Sequence, residues 1–216
     1  MADRMNHHLD FQFSAPYSTL NELTQETKCV WVVCHGYAQL ASYFIKKFEH
    51  LPKEHFVVAP QGLSRFYMND HFRVGASWMT KEDRDTELDN QEAYFGALYQ
   101  NVFGGAELSN YKIIFFGFSQ GVAAMSRVAA WWKIPFDQLI LWAGGFPHEL
   151  TNEDFDFLKP ESRLDIVLGN NDPIYKMPVF QADIDRAEKA TGLQANFVQF
   201  DGKHEIQFNI LSELMN

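Results

Sequence analysis

The stretch that most constrains this chain runs from Tyr111 to Trp132, YKIIFFGFSQGVAAMSRVAAWW. It opens on a short apolar run, Ile113-Ile114-Phe115-Phe116, which has the β-branched and aromatic content of a buried strand. The chain then turns through Gly117-Phe118-Ser119-Gln120-Gly121, and small apolar residues (Val122, Ala123, Ala124, Met125, Val128, Ala129) continue at helical spacing. Strand, G-x-S-x-G, helix is the setting in which a serine is lifted out of a sheet on a strained turn. The glycines leave room for the bend, and the first N–H groups of the following helix face the serine, where negative charge could develop. Outside such a setting the same five letters are an ordinary glycine-rich turn. The rest of the chain must therefore supply a base and an acid.

The remaining pattern alternates strand with helix. Cys29 to Cys34 is continuously apolar, the mark of a strand covered on both faces, and ends in His35-Gly36-Tyr37. A helical pattern carries Leu40, Tyr43, Phe44 and Phe48, and His55 to Pro60 is a further buried strand. Leu88 to Phe103 is expected to be an amphipathic helix, and Lys81 to Asp85 its solvated start. Beyond the serine turn, strands are expected at Leu139–Ala143, Leu164–Leu168 and Phe197–Phe200. A helix with Phe180, Ile184 and Ala187 stops at Gly192, and a last one carries Ile206, Ile210, Leu211 and Leu214. The alternation of Leu9, Phe11 and Phe13 with polar residues predicts an edge strand or half of a hairpin, whereas Gln61 to about Asp85 reads as a long irregular loop rich in large side chains. The fold class is α/β: a mostly parallel central sheet with helices on both faces and no separate cap domain, over one domain spanning 1–216.

Composition narrows the function. The formal net charge of −10 argues against nucleic acid and anionic membrane surfaces as partners. The two cysteines, Cys29 and Cys34, lie too far apart along one strand to bridge and read as free thiols of a reducing compartment, so a cytoplasmic home is expected. Met1 to Phe13 carries no apolar h-region and no small-residue cleavage site, so it is not expected to be a signal peptide, and no run is long enough to span a membrane. There is no G-x-x-x-x-G-K-[ST], G-x-G-x-x-G or H-E-x-x-H, so no cofactor and no metal is expected.

On such sheets functional residues gather at the carboxyl ends of strands. Serine is a poor nucleophile without a base, and the base needs an orienting acid. His204 follows the last strand; His35, His50, His55 and His71 all precede the serine, His148 comes too early, and His7 and His8 lie in a tail. For the acid, Asp165 is inside a strand, Asp183 and Asp185 look like solvated helix positions, and Asp201 is too near His204 in sequence. Asp172, after the penultimate strand, remains. The order Ser119, Asp172, His204 is the one expected on an α/β-hydrolase sheet. An oxyanion hole would need two backbone N–H groups, from Gln120 and from Tyr37. A thiol nucleophile at Cys34 is disfavoured, since neighbours on a strand point to opposite faces.

Gly117-Phe118-Ser119-Gln120-Gly121, His35-Gly36, Gly169-Asn170-Asn171-Asp172-Pro173 and Gly202-Lys203-His204-Glu205-Ile206 together resemble the phospholipase/carboxylesterase family, which includes acyl-protein thioesterases. The resemblance runs from about Cys29 to the end. It implies an α/β-hydrolase fold, a triad of Ser119, Asp172 and His204, oxyanion residues Tyr37 and Gln120, and Trp78 beside an acyl pocket. The chain departs from the family at His35-Gly36-Tyr37-Ala38-Gln39 (usually H-G-L-G-D), at Val122 and at Lys203. The expected activity is hydrolysis of a small-molecule ester or thioester, with Phe66, Tyr67, Trp78 and Met79 favouring an apolar acyl group. Two alternatives stay open: a hydrolase fold that binds a hydrophobic ligand without turnover, and a peptidase or acyltransferase on the same fold. Oligomeric state is not readable.

Overall fold

The continuous apolar runs become the inner strands of one sheet. A computed structural model describes residues 5–69 and 71–215; the first four residues of the N-terminal stretch read for a leader lie outside the described residues. In chain order the elements are β1 (Tyr17–Leu20), β2 (Cys29–Cys34), α1 (Ala41–Phe44), which runs into a 3₁₀ turn at Ile45–Phe48, β3 (His55–Pro60), β4 (Ser64–Tyr67), β5 (Val74–Ser77) and α2 (Arg84–Phe103). They continue with β6 (Lys112–Phe118), α3 (Gln120–Trp132), β7 (Gln138–Trp142), β8 (Arg163–Gly169), α4 (Met177–Thr191), β9 (Ala195–Phe200) and α5 (Phe208–Leu214).

Seven strands pair in the order β1-β3-β2-β6-β7-β8-β9, all parallel except β1. The order reverses between β2 and β6. The chain steps from β2 to β3 on one side of the sheet's centre and from β6 to β9 on the other, so right-handed crossovers place helices on opposite faces. That reversal falls between β2 and β6, at whose carboxyl ends His35 and Ser119 stand.

Strand β6 shows how both faces are buried. Side chains of successive residues point to opposite sides. Phe115 meets Trp132 and Phe136 on one face, with ring centroids 6.0 and 5.4 Å away. Phe116 meets Phe48 at 5.3 Å on the other, and Trp142 on the neighbouring strand at 6.1 Å. Cys29 and Cys34 are buried and free, and burial pushes Cys29 up to about 12 and Cys34 well above its ordinary value, so both stay protonated thiols.

Three expectations need correction. Residues 9–13 form no strand: Leu9, Phe11 and Phe13 are exposed, and the edge strand is β1, which earns its place through main-chain pairing to β3 rather than through alternation. The interval from Gln61 to Asp85 is not irregular throughout, because β4 and β5 form an antiparallel hairpin outside the main sheet. Ile206 precedes the last helix instead of belonging to it. Among the described residues no helix is long and apolar enough to cross a membrane.

Candidate active site

Ser119 stands between the end of β6 and the first residue of α3 with φ 54° and ψ −122°, a conformation that side chains other than glycine rarely adopt. Its neighbours make the turn possible. A Cβ on Gly121 would overlap the Cys34 carbonyl oxygen, so only glycine lets α3 begin this close to β2. The Ser119 N–H donates to the Trp142 carbonyl at 2.8 Å, tying the turn to β7.

The acid and the base arrive from adjacent strand ends that are zipped together. Beyond β8 and β9, the Asn170 N–H donates to the Phe200 carbonyl and the Asn171 N–H to the Gly202 carbonyl, both at 2.9 Å. This places Asp172 beside His204. The Asp172 carboxylate is buried; Oδ1 accepts the Ile174 and Tyr175 N–H groups at 2.8 and 3.0 Å, and Oδ2 lies 2.7 Å from His204 Nδ1. A carboxylate can only accept, so Nδ1 carries the proton and Nε2 is left as an acceptor. Nε2 is 2.9 Å from Ser119 Oγ, which donates to it. The imidazole is clasped by Phe118 and Tyr175, with ring centroids 5.0 and 6.1 Å away. The three side chains that the sequence singles out are thus brought into one hydrogen-bonded line.

The loop after β2 faces the same serine. A Cβ on Gly36 would stand 3.1 Å from Ser119 Cβ, so the two backbones are in contact there. The Gly36 N–H donates to Gln39 Oε1 at 2.9 Å, and the Ala38 N–H to the Ala76 carbonyl on β5 at 2.8 Å. The Tyr37 N–H between them makes no hydrogen bond among the described residues. The Gln120 N–H opens α3, with no helical carbonyl four residues behind it. Two unpaired donors therefore flank the serine.

His35 anchors that loop from beneath. It is fully buried; Nε2 accepts the Gly62 N–H at 3.0 Å and a Gln61 side-chain N–H at 3.1 Å, so Nδ1 is the protonated nitrogen and donates to the Gly36 carbonyl at 2.8 Å. Burial drives its pKa down to about 4, only partly offset by the bond to Gly36, which keeps the ring neutral.

The four proposed pocket residues separate. Trp78 is 2 % exposed, stacks on Phe95 and donates its indole N–H to the His35 carbonyl at 2.7 Å; it props the loop rather than lining an open surface. Phe66 stacks on the exposed Tyr37 at 5.2 Å, and Tyr67 lies open to solvent. Met79 gives its carbonyl to Gln120 Nε2 at 2.9 Å, while Gln120 Oε1 takes the Trp78 N–H at 3.1 Å. The Gln120 side chain therefore holds the 77–79 segment against the serine turn. Asp183, expected to be solvated, is instead buried, with Oδ1 accepting the Phe146 N–H at 3.0 Å and an Arg186 N–H. Asp185 is exposed as expected. Tyr175 and the Gln120 side chain were missed by sequence reasoning; for Tyr175 the signal was its position three residues after Asp172.

No protein-family model and no curated protein matches this sequence. Solved structures do. Acyl-protein thioesterase 2 of Zea mays superposes with a TM-score of 0.69 at 16% identity, over 93% of this chain and 96% of that one. A carboxylesterase of Bacillus cereus gives 0.66 at 11% identity, over 93% and 91%. A phospholipase/carboxylesterase of Dyadobacter fermentans gives 0.62 at 20%, over 95% and 96%. The chain has the α/β-hydrolase fold. Within this fold, the point where strand order reverses is also where the serine, the imidazole and the two N–H groups meet.

Proposed function

We propose that this chain is a serine hydrolase that cleaves carboxylic esters or thioesters through an acyl-enzyme on Ser119. The observation that carries the proposal is the line Asp172–His204–Ser119, at 2.7 and 2.9 Å, ending on a serine held at positive φ. His204 Nε2 takes the Ser119 hydroxyl proton as Oγ attacks the carbonyl carbon, and Asp172 steadies the imidazolium that forms. The N–H groups of Tyr37 and Gln120 receive the charge on the carbonyl oxygen. His204 returns the proton to the leaving group. Water, deprotonated by the same imidazole, then releases the acid and restores Ser119.

In this reading the substrate is a small-molecule ester or thioester whose acyl body is apolar. It passes Phe66, Tyr67 and Met79 at the mouth, with Trp78 as support beneath the oxyanion loop. The relatives of the proposal are the phospholipase/carboxylesterase enzymes, and residues 1–216 act as one domain. The buried free thiols of Cys29 and Cys34 support a cytoplasmic setting.

Ser119→Ala tests the proposal. Turnover of p-nitrophenyl butyrate should fall by about a millionfold, since the three groups act as a unit. A loss of less than about tenfold contradicts the mechanism.

A further inference from the structure

A cavity of about 630 Å³ opens beside α3, one turn beyond Ser119. Its wall begins at Ala123, one turn along α3 from Ser119, and continues through Gly145 and Phe146 after β7 to α4. Gly144, next to Gly145, packs directly on the Ser119 carbonyl oxygen. The cavity thus lies beside the serine turn: Ala123 is one helical turn from Ser119, and Arg127 touches Met79, whose carbonyl accepts from the Gln120 side chain.

Its charge runs against that of the whole chain. Arg84, Arg127 and Arg186 line it against only two carboxylates, Glu149 and Asp183, in a protein of formal net charge −10. One oxygen, Glu149 Oε1, holds two guanidiniums at once: Arg127 Nε and Nη2 at 2.8 and 2.7 Å, and Arg84 Nη2 at 3.0 Å. Among the described residues, Arg127 Nη1 meets only the Met79 sulfur, at 3.7 Å, and Arg84 Nη1 has only the solvent-exposed Asp85 at 3.8 Å. Arg186 gives one nitrogen to Asp183, and its Nε is buried without a partner among the described residues. Guanidinium donors in excess of the acceptors present, beside apolar Phe146 and Val179, match an anionic group on a short apolar stem.

We propose that this cavity is an anion subsite, and that the natural substrate carries a carboxylate or a phosphate that docks there while Ser119 attacks its ester. The proposal rests on the hydrolase reading for the second half and on the arginine surplus for the first. It completes the apolar acyl reading by placing a charge at the far end of the apolar portion.

Two matched pairs test it with the full chain. Mono-p-nitrophenyl glutarate against p-nitrophenyl pentanoate puts a carboxylate on the acyl side; butyryl glycerophosphate against glycerol monobutyrate puts a phosphate on the alcohol side. The charged member of at least one pair should be favoured at least about tenfold in kcat/KM, the scale of a charge-assisted hydrogen bond. That pair identifies the source of the anion. The preference should vanish in Arg84→Gln/Arg186→Gln and persist in Lys53→Gln, which removes an exposed charge outside the cavity. If the double variant does not fold, Arg84→Gln alone gives the same reading. Preferences below tenfold in both pairs, or one that survives the arginine substitutions, overturn the subsite. If no ester is cleaved, the hydrolase reading fails on its own, and binding decides the subsite. Glutarate or inorganic phosphate must then raise the melting temperature of the wild type and not of the arginine variant; no shift with either overturns it.

Discussion

Strand β8 carries one buried carboxylate near its start, Asp165, and leads to another just past its end, Asp172; both are excluded from solvent, at 0 % and 1 % exposure. Asp165 accepts from Gln138 Nε2 at 2.7 Å, Asn196 Nδ2 at 2.6 Å and Arg163 Nη2 at 3.5 Å. None of these donors gives up its proton near neutrality, so the cluster ties β7, β8 and β9 together and does nothing else. Asp172 accepts two backbone N–H groups and one imidazole. The imidazole is the difference. It can pass a proton on through its second nitrogen, so the same buried charge that stitches strands at one end of β8 readies a hydroxyl at the other.

Matched substitutions sharpen the comparison. Asp172→Asn should lower kcat by about ten-thousandfold, because an amide in place of the carboxylate no longer fixes Nδ1 as the protonated nitrogen; steady-state kinetics with p-nitrophenyl butyrate measure it. A fall of less than a hundredfold would put Asp172 in the same class as Asp165.

His35, buried at the active end, should appear in stability instead of proton transfer. Its pKa near 4 lies below its ordinary 6.5, so between those values the unfolded chain binds the proton and the folded chain does not. Stability is therefore full above about pH 6.5 and declines as pH falls toward 4, by about 3 kcal/mol for this group. Urea unfolding at about pH 7 and pH 4.5 should show that decline in the wild type and lose His35's share of it in His35→Gln.

Asp165→Asn should cost about 2 kcal/mol in urea unfolding, because the new amide turns a donor toward donors. The kcat/KM of the folded fraction should stay within about twofold. A large loss of turnover with unchanged stability would erase the contrast between the two ends of the strand.

The same contrast explains what was legible in the sequence. Ser119 and Asp172 could be picked because each follows a strand buried on both faces, and such strands print as unbroken apolar runs, whereas His204 was picked as the histidine after the last strand, the half-exposed edge strand β9. Inner strands β2, β6, β7 and β8 were placed to within two residues for that reason. Elements held by main-chain pairing alone leave no such print. Leu9–Phe13 alternates and is not a strand, while β1 and β4 are strands built of exposed or half-exposed residues. Asp183 looked like a solvated helix position because its partner, the Phe146 N–H, lies 37 residues away. The arginine-lined cavity was invisible for a similar reason: Arg84 begins α2, Arg127 is on α3, Glu149 follows β7 and Arg186 is on α4. Only the fold assembles them.

Reaction with a fluorophosphonate, followed by mass mapping of the modified peptide, tests the activated hydroxyl most directly. A single adduct on Ser119 is predicted, absent in Ser119→Ala and slowed at least a thousandfold in His204→Ala. An intact wild-type protein left unlabelled, or labelled equally fast without the imidazole, would contradict it.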